Sequence, residues 1–213
     1  MLKTVRICFE KTGTAKYISH LDLNRTMTRA VRRAHIPLWY TEGFNRHPYL
    51  TFAAPLSLGF ESTSELMEIR LEEDMPMDEV VDRLNAVMPT GLHVRECYEA
   101  QMKVGALAFA SYELYLNTPA DTVRKLLAQP EILVRKRTKK GGEKTVDIAP
   151  PFNNAVVSEQ NGETKVEVTL PFGSDNTVNP TLFFTALQQV ADTPIVYRVL
   201  RTGLYTKDHV PFR

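Results

Sequence analysis

Residues 5–34 read VRICFEKTGTAKYISHLDLNRTMTRAVRRA, and this stretch decides the fold. At its start Val5, Ile7 and Phe9 are apolar, and the residues between them are charged or small. An alternation with a period of two is typical of a β-strand that buries one face. The lysine, threonine and glycine at 11–13 favour a turn. The stretch therefore opens with a predicted strand that ends in a turn.

The second part of this stretch predicts a helix from about His20 to about Ala34. Ser19 followed by Asp22 resembles a capping box, with Asp in place of the usual Glu or Gln. Apolar residues recur on one stripe of this helix, at Leu23, Met27, Ala30, Val31 and Ala34. The opposite stripe is basic and carries Arg25, Arg29, Arg32 and Arg33. One face is therefore expected to pack and the other to remain on the surface.

Outside this stretch, the first half of the chain predicts further strands and one more helix. Strands are expected at 38–40, 50–52, 66–71 and 92–98, and a helix at 77–87. The order strand, helix, strands, helix, strand is that of a ferredoxin-like unit. Such a unit is an antiparallel sheet with both helices on one face.

The second half of the chain repeats this order. Its predicted strands lie at 112–116, 132–137, 146–148, 166–170 and 195–200, and its predicted helices at 120–127 and 180–190. We therefore predict an α+β fold of two tandem ferredoxin-like (βαββαβ) units, with antiparallel sheets and helices on one face. The predicted N-terminal unit spans residues 1–103. The predicted C-terminal unit spans residues 104–213 and carries a basic hairpin.

Composition narrows the classes of function. The net charge is +1, so a nucleic-acid site would have to be a local basic patch rather than a property of the whole molecule. Cys8 and Cys97 are the only cysteines and lie far apart, so neither a disulfide framework nor a metal site is predicted, and no cofactor is expected. No run reaches the roughly 18 apolar residues of a membrane span, and we predict a cytoplasmic protein.

Several motifs carry a resemblance to a known family. The first half contains KYISHLD at 16–22, RAVRRA at 29–34, EGFNRHP at 42–48 and FAAPLSLG at 52–59. The second half contains RTKKGGEK at 137–144, VDIAP at 146–150 and RTGLY at 201–205. These motifs together resemble the radical SAM-linked protein family over nearly the whole chain. Two positions depart from its pattern, namely Arg46, where members commonly carry Pro, and Ala149, where they often carry Arg.

This resemblance implies a partner protein but does not imply a reaction that this chain catalyses. Family members are encoded beside, or fused to, radical SAM proteins, so the resemblance implies that a radical SAM protein is a partner of this chain. Cys8 and Cys97 do not form the three-cysteine motif that holds the cluster of a radical SAM enzyme. We therefore expect that the partner, and not this chain, supplies the radical chemistry.

Three basic segments favour RNA as a second partner. The arginine stripe suits bidentate contacts to phosphates, although a solvated helix face also explains it. The loop at 43–49 mixes aromatic, amide and basic groups, as single-stranded RNA sites do, in Phe44, Asn45, Arg46 and His47. The alternative is a rigid turn in which Phe44 fills the core. The predicted hairpin presents Arg135, Arg137, Lys139 and Lys140, either to a phosphate backbone or as a solubilising tip.

Two histidines are candidates for catalysis. His20 and His47 would act as general bases near neutral pH, and Tyr17 lies close to His20 in sequence. Such a set would activate a ribose 2′-hydroxyl. The element order resembles that of the CRISPR repeat-processing endoribonucleases, which are also built from tandem ferredoxin-like units. A structural hydrogen bond at the helix start is the alternative for His20, and a fold alone does not establish a function.

The predicted function is that of a non-catalytic accessory protein of a radical SAM enzyme that binds RNA or presents an RNA substrate. One alternative is a metal-independent endoribonuclease that uses His20, Tyr17 and His47. The other is a protein-binding scaffold, which would contact the radical SAM partner through an exposed apolar patch. The sequence leaves the oligomeric state open.

Overall fold

The computed structural model describes residues 2–137, 141–173 and 176–213. The chain is a mixed α+β structure of helices and mostly antiparallel sheet, and it divides into two compact units. Unit 1 comprises Met1–Ala106 with Phe212–Arg213, and unit 2 comprises Leu107–Pro211. Within the described ranges, no helix has the length and the apolar character that a membrane crossing demands.

Unit 1 is a sheet covered by helices. Its elements in chain order are β1 (Lys3–Lys11), α1 (His20–Arg33), β2 (Leu50–Phe52), β3 (Glu61–Leu71), α2 (Met77–Asn85) and β4 (Leu92–Glu99). Short 3-10 turns lie at Gly13–Tyr17 and Val104–Ala106. The strands pair in the order β4-β1-β3-β2, and each neighbouring pair is antiparallel.

The alternation at the start of the chain determines which face of this sheet the helices cover. Val5, Ile7 and Phe9 lie on one fully buried face of β1. Both helices pack on that face, α1 through residues such as Met27 and α2 through residues such as Leu84. The predicted strand and helix of residues 5–34 are therefore confirmed, and the solvent face of α1 is left for the arginine stripe.

The opposite face of β1 contains a buried charge. Arg6 is fully buried and forms an ion pair with Glu68 on β3. Its Nη2 also donates to the carbonyl oxygen of Met102 at 2.6 Å, and its guanidinium lies 4.2 Å from the centre of the Phe212 ring. Glu68 and the Met102 carbonyl accept hydrogen bonds from Nε and Nη2 of this buried guanidinium, which offsets part of the cost of its burial.

The strand predicted at residues 38–40 is wrong. Leu38 makes an isolated bridge to Leu71, whereas Tyr40 makes one to Pro48. The segment changes its backbone partner within three residues, because Trp39 N–H donates to a carbonyl of β3 and the residues after it pair within their own loop. No continuous ladder forms, so the segment is extended without being a strand.

Unit 2 has a similar succession of elements with an additional hairpin. They are β5 (Leu107–Leu116), α3 (Ala120–Leu127), β6 (Leu133–Arg137), β7 (Glu143–Asp147), α4 (Ala149–Phe152), β8 (Val156–Gln160), β9 (Glu163–Pro171), α5 (Thr181–Gln188) and β10 (Tyr197–Thr206). The main strands pair in the order β10-β5-β9-β8, all antiparallel. The strands β6 and β7 form a separate two-stranded sheet.

Strand β8 is an element that our sequence analysis did not predict. It pairs with β9 through a tight turn at Asn161 and Gly162, whose φ values are 52° and 81°. Asn-Gly is the dipeptide that suits a turn with two positive φ angles. The sequence therefore contained a turn signal in Asn161-Gly162. The apolar alternation of Val156–Gln160 was too weak to predict a strand when that turn was not considered.

Candidate nucleic-acid interface

Helix α1 presents the candidate site on its solvent face. As the sequence predicts, Ser19 caps the helix, because its Oγ accepts a hydrogen bond from the Asp22 backbone N–H at 3.1 Å. The arginines of the basic stripe are all exposed, at Arg25, Arg29, Arg32 and Arg33. At about 1.5 Å per residue, the stripe rises about 10 Å along the helix axis between its first and third members. The cap therefore fixes the start of a helix whose outer face is positively charged.

Two of these arginines are partly held by the protein itself. Arg33 Nη2 donates to the Val87 carbonyl oxygen at 2.7 Å. Arg25 Nη1 lies 3.4 Å from Asp22 Oδ1, and the two residues form an exposed ion pair between neighbouring turns of the helix. An exposed pair of this kind contributes little to stability and exchanges readily with another anion. Arg33 is the more firmly held of the two.

The other two arginines keep their N–H donors open. Among the residues that the structure describes, the side chains of Arg29 and Arg32 make no hydrogen bond and no ion pair. Arg32 instead places its guanidinium 5.8 Å from the centre of the Tyr40 ring, within cation–π distance. A guanidinium over an aromatic ring still directs its N–H groups outward, so this pair is the most available for phosphate oxygens.

Residues 41–48 form a loop that its own hydrogen bonds close. Thr41 N–H donates to the His47 carbonyl oxygen at 2.9 Å, and His47 N–H donates to Thr41 Oγ1 at 3.2 Å. The His47 ring contributes as well, with Nδ1 2.9 Å from the Asn45 carbonyl oxygen. Gly43 has a φ of 113°, which side chains rarely tolerate. These contacts fix the conformation of the loop tip.

Phe44 lies at this tip and is fully exposed. The alternative in which Phe44 fills the core is therefore wrong. Asn45 and Arg46 beside it are exposed too, and Arg46 has no polar partner within the described ranges. An aromatic ring that a closed loop holds in water has both faces free, which is the geometry of a base-stacking platform.

The helix and the loop form one surface. Tyr40 bridges to Pro48 at the base of the loop. The same Tyr40 ring lies against the Arg32 guanidinium at the end of the arginine stripe. The stripe therefore leads directly to the loop that carries Phe44.

A further group beside the loop was not predicted from the sequence. The Arg70 guanidinium lies 5.3 Å from the centre of the Trp39 ring and 4.2 Å from that of Tyr49. All three side chains are half-buried, and Tyr49 N–H donates to the Trp39 carbonyl oxygen at 3.1 Å. The group depends on the pairing of the 38–40 segment with β3, a long-range contact that leaves no local pattern in the sequence.

The three predicted catalytic groups lie on separate elements. Tyr17 ends a 3-10 turn and is 67% exposed, and His20 is the first residue of α1. The His20 ring packs edge-on against Phe52, with ring centres 5.1 Å apart. His47 helps to close its loop. Within the described part of the chain, no hydrogen bond joins any two of Tyr17, His20 and His47.

The basic hairpin of unit 2 is described in part. Arg135 is exposed on β6, and its Nη1 lies 3.8 Å from Glu143 Oε2. Lys136 lies directly opposite Lys144 in the hairpin register. The side chain of Arg137, and the residues Lys139 and Lys140, lie outside the described residues.

Burial lowers the reactivity of the two cysteine thiols. Burial raises the pKa of Cys8 to about 11, with a further contribution from the charge of Glu96, and raises the pKa of Cys97 to about 12. Both thiols are therefore neutral and weakly nucleophilic near neutral pH. Among the described residues, no group of three or more His, Cys, Asp or Glu side chains is placed to hold a metal ion.

Comparison with known proteins gives a family for the chain. A family model described as an uncharacterized protein conserved in bacteria (DUF2344) matches residues 4–180. The matched residues include the arginine stripe, the 41–48 loop and the basic hairpin. No curated protein matches the chain. The family description names no activity, so the function has to be argued from the surface of the molecule.

Proposed function

We propose that this chain, which belongs to the family of uncharacterized proteins conserved in bacteria (DUF2344), binds single-stranded RNA on unit 1 without catalysing a reaction. One observation carries the proposal. The open arginine pair, Arg29 and Arg32, is continuous through Tyr40 with a closed loop whose Phe44 ring is fully exposed. A phosphate backbone and an unpaired base would each find a partner on that surface.

The arginines account for binding of the backbone. Each phosphate contact by a guanidinium releases counterions, which gives affinity that falls as salt concentration rises. Because the net charge of the chain is only +1, this attraction would be confined to the local stripe. Arg25 would add a third contact once a phosphate replaces its exposed ion pair with Asp22.

The loop accounts for the preference for single strands. An exposed phenylalanine stacks on a base only when that base is not already stacked and paired within a duplex. Asn45 and Arg46 follow Phe44 directly and offer an amide and a guanidinium to the edge of a base or to its phosphate. Stacking on an aromatic side chain is worth about 1–3 kcal/mol per base. The loop would thus select unpaired RNA.

The partner role rests on the motifs of the sequence. Their resemblance to radical SAM-linked proteins supports a complex in which this chain holds the RNA and a radical SAM protein modifies it. Burial of Cys8 and Cys97 is in keeping with that division, since neither thiol is suited to ligate a cluster or attack a substrate. The RNA-bound surface would then face the active site of the partner.

We extend the proposal to the architecture of the two units. In a ferredoxin-like unit the four strands, numbered in chain order, pair as 4-1-3-2. The orders β4-β1-β3-β2 and β10-β5-β9-β8 both support this arrangement. In unit 2 the hairpin β6–β7 and the short helix α4 would be an insertion after the first helix of the unit.

The proposal is tested by measuring the affinity of the chain for a labelled short single-stranded RNA by fluorescence anisotropy over a series of salt concentrations. We expect salt-dependent binding by the wild type. In the Arg29→Ala, Arg32→Ala double variant the negative slope of log affinity against log salt should become shallower by about 1.4, which is two contacts at about 0.7 each. Absence of binding at low salt would overturn the proposal.

A matched control separates the site from general charge. Arg124 and Lys125 are exposed on α3 of unit 2, so Arg124→Ala, Lys125→Ala removes the same charge from another helix. This control should bind RNA as the wild type does. A loss equal to that of the stripe variant would mean that net charge, and not the arginine stripe, governs binding.

The same samples test the two alternatives. Cleavage of the RNA in the absence of metal, abolished by His20→Ala or His47→Ala while binding survives, would establish the endoribonuclease. A tight complex with the radical SAM protein together with no RNA affinity would establish the scaffold. The proposal requires intact RNA after binding.

A further inference from the structure

Unit 2 carries a cleft that is distinct from the proposed RNA surface of unit 1. One half is a cavity of about 590 Å³ with Phe109, Asn153, His209, Pro150, Pro151 and Pro171 in its walls. The other half is a cavity of about 480 Å³ that shares the same three prolines and reaches Lys136. The two cavities border the same three prolines and so lie side by side, and we refer to them together as the cleft of unit 2. Each has the size of a small-molecule site, about 300–1,000 Å³.

One wall of the larger cavity is a pair of stacked rings. Phe109 on β5 and His209 have ring centres 4.4 Å apart and ring planes 16° apart. His209 lies in the tight turn after β10, where its N–H donates to the Thr206 carbonyl oxygen at 3.0 Å. Its φ of 57° lies in the left-handed region, where histidine, like asparagine and aspartate, is found more often than most other side chains. The turn therefore holds the His209 ring flat against Phe109, where the stacked pair presents an aromatic surface to the cavity.

A second wall offers an unused amide. Asn154 is fully engaged, because its Nδ2 donates to the Thr169 carbonyl oxygen at 3.0 Å and its Oδ1 accepts from Thr169 N–H at 2.9 Å. The side chain of Asn153 lines the cavity and makes no hydrogen bond within the described ranges. An amide presents a donor and an acceptor side by side, so Asn153 is free to read the edge of a planar ligand.

The far end of the cleft has one lysine and one aspartate in its walls, Lys136 and Asp147. The Asp147 Oδ1 already accepts hydrogen bonds from the Ile132 and Ala149 N–H groups, at 2.9 Å each, so Lys136 is the charged group left for a ligand. Lys136 lines the smaller cavity and lies directly opposite Lys144 in the β6–β7 register. Like charges on directly opposed residues disfavour the strand pair. Neither lysine has an acidic partner among the described residues, so an anion at this end of the cleft would relieve their repulsion.

From these walls we infer that the cleft of unit 2 binds a nucleotide. The base lies in the larger cavity against the Phe109–His209 pair, and the Asn153 amide hydrogen-bonds its edge. The phosphate lies in the smaller cavity and pairs with Lys136. A nucleotide is a flat ring with donors and acceptors on its rim that is joined to an anion, so it uses the rings, the amide and the lysine together. The inference does not depend on RNA binding by unit 1.

The experiment measures binding of adenosine 5′-monophosphate to the full chain by isothermal titration calorimetry. Adenine gives a large stacking surface and matches an asparagine amide through its N6 and N7 atoms. We expect the affinity to fall about tenfold in His209→Asn, which keeps a residue that tolerates the turn but removes the ring. A fall is also expected in Asn153→Ala and in Lys136→Ala. Lys207→Ala, which removes an exposed cation from the same turn as His209, should bind as the wild type does.

Two results would overturn the inference. One is no binding of adenosine 5′-monophosphate by the wild type at millimolar concentration. The other is an unchanged affinity in His209→Asn. The Arg29→Ala, Arg32→Ala variant of unit 1 should bind the nucleotide normally, so failure of the RNA proposal and failure of the nucleotide site give different patterns.

A parallel titration with single-stranded oligoadenylate identifies the source of the nucleotide. If His209→Asn weakens the oligonucleotide as well as the monophosphate, the cleft takes a nucleotide within a strand. If only the monophosphate is weakened, the cleft takes a free nucleotide. Both results support a nucleotide site, whereas equal binding of both probes by wild type and variant contradicts it.

Discussion

Arg6 is the most completely buried charge of unit 1, and its environment makes a stability prediction. Its Nη1 has no hydrogen-bond partner among the described residues, so the ion pair with Glu68 is the main compensation for its burial. Glu68→Ala would leave a buried charge unpaired. We expect the free energy of unfolding of unit 1 to fall by about 3–5 kcal/mol.

Fluorescence reports this change selectively, because Trp39 is the only tryptophan of the chain and belongs to unit 1. Urea unfolding followed at Trp39 should show the loss in Glu68→Ala. Glu73→Ala, an exposed acidic residue just after β3, should change the free energy of unfolding by no more than about 0.5 kcal/mol. Similar losses in the two variants would mean that the buried pair has no special role.

The cysteines make a prediction about reactivity. Because burial raises the pKa of Cys8 to about 11 and that of Cys97 to about 12, few of these thiols are ionised in the native protein at pH 8. Alkylation by iodoacetamide should be slower than in the urea-unfolded chain by on the order of 100-fold, since the thiolate is the reactive form. Mass spectrometry measures both rates, and equal rates at pH 8 would contradict the account.

The same pKa shifts predict how stability depends on pH. The native pKa of each thiol lies above its ordinary value of 9.0, so folding favours the neutral form. Their contribution to stability is therefore fully present below about pH 9 and is lost as the pH rises through about 11 and 12. The urea midpoint of unit 1 should accordingly decline above pH 9, and less so in a variant in which both cysteines are alanine.

At the level of elements, Gly91 controls how β4 begins. Its carbonyl oxygen accepts from Thr12 N–H at 2.8 Å, and its φ is 86°. A Cβ at this position would lie 2.6 Å from the Thr12 carbonyl oxygen, a backbone atom that does not move aside easily. Gly91→Ala should therefore destabilise unit 1 through both strain and a clash.

Gly59 is the matched control for this effect. Its φ of 84° is nearly the same, but a Cβ there would meet nothing within 4 Å. Gly59→Ala should cost about 1–2 kcal/mol from backbone strain alone, and Gly91→Ala should cost about 1–3 kcal/mol more. Urea unfolding at Trp39 measures both, and equal losses would show that the close approach to Thr12 is unimportant.

The elements that could be predicted from the sequence are those with a strong local pattern. Strand β1 and helix α1 have clear apolar periods, and α1 has a capping side chain in Ser19. Strand β8 was missed because its pattern is weak, although the Asn161-Gly162 turn marks its end. The 38–40 segment was mistaken for a strand because a sequence does not show that its backbone changes partner.

The candidate site could also be predicted only where it depends on a local pattern in the sequence. The arginine stripe follows from helical spacing and is exposed as predicted. Which of its members are open to a ligand was not predictable, because Arg33 is held by the carbonyl of Val87, more than fifty residues away in sequence. The cleft of unit 2 was not predictable either: the VDIAP motif at 146–150 supplies part of its walls, but the rest come from β5 and the turn at His209, which are distant in sequence.

For the whole molecule, we propose that the two units have different tasks. Unit 1 would bind a single strand through the α1 stripe and the 41–48 loop, and unit 2 would hold a nucleotide in its own cleft. With a net charge of only +1, the chain would hold RNA by local contacts and would release it readily as salt concentration rises. In this proposal the chain itself performs no reaction on the RNA.

The most direct test of the central claim is photo-crosslinking of single-stranded RNA to the full chain, followed by mass spectrometry of the crosslinked peptides. The account predicts crosslinks in residues 41–48, at Phe44 above all, and their loss in Arg29→Ala, Arg32→Ala. RNA that crosslinks only outside residues 20–49, or equally well in the variant, would contradict the claim that this surface binds RNA.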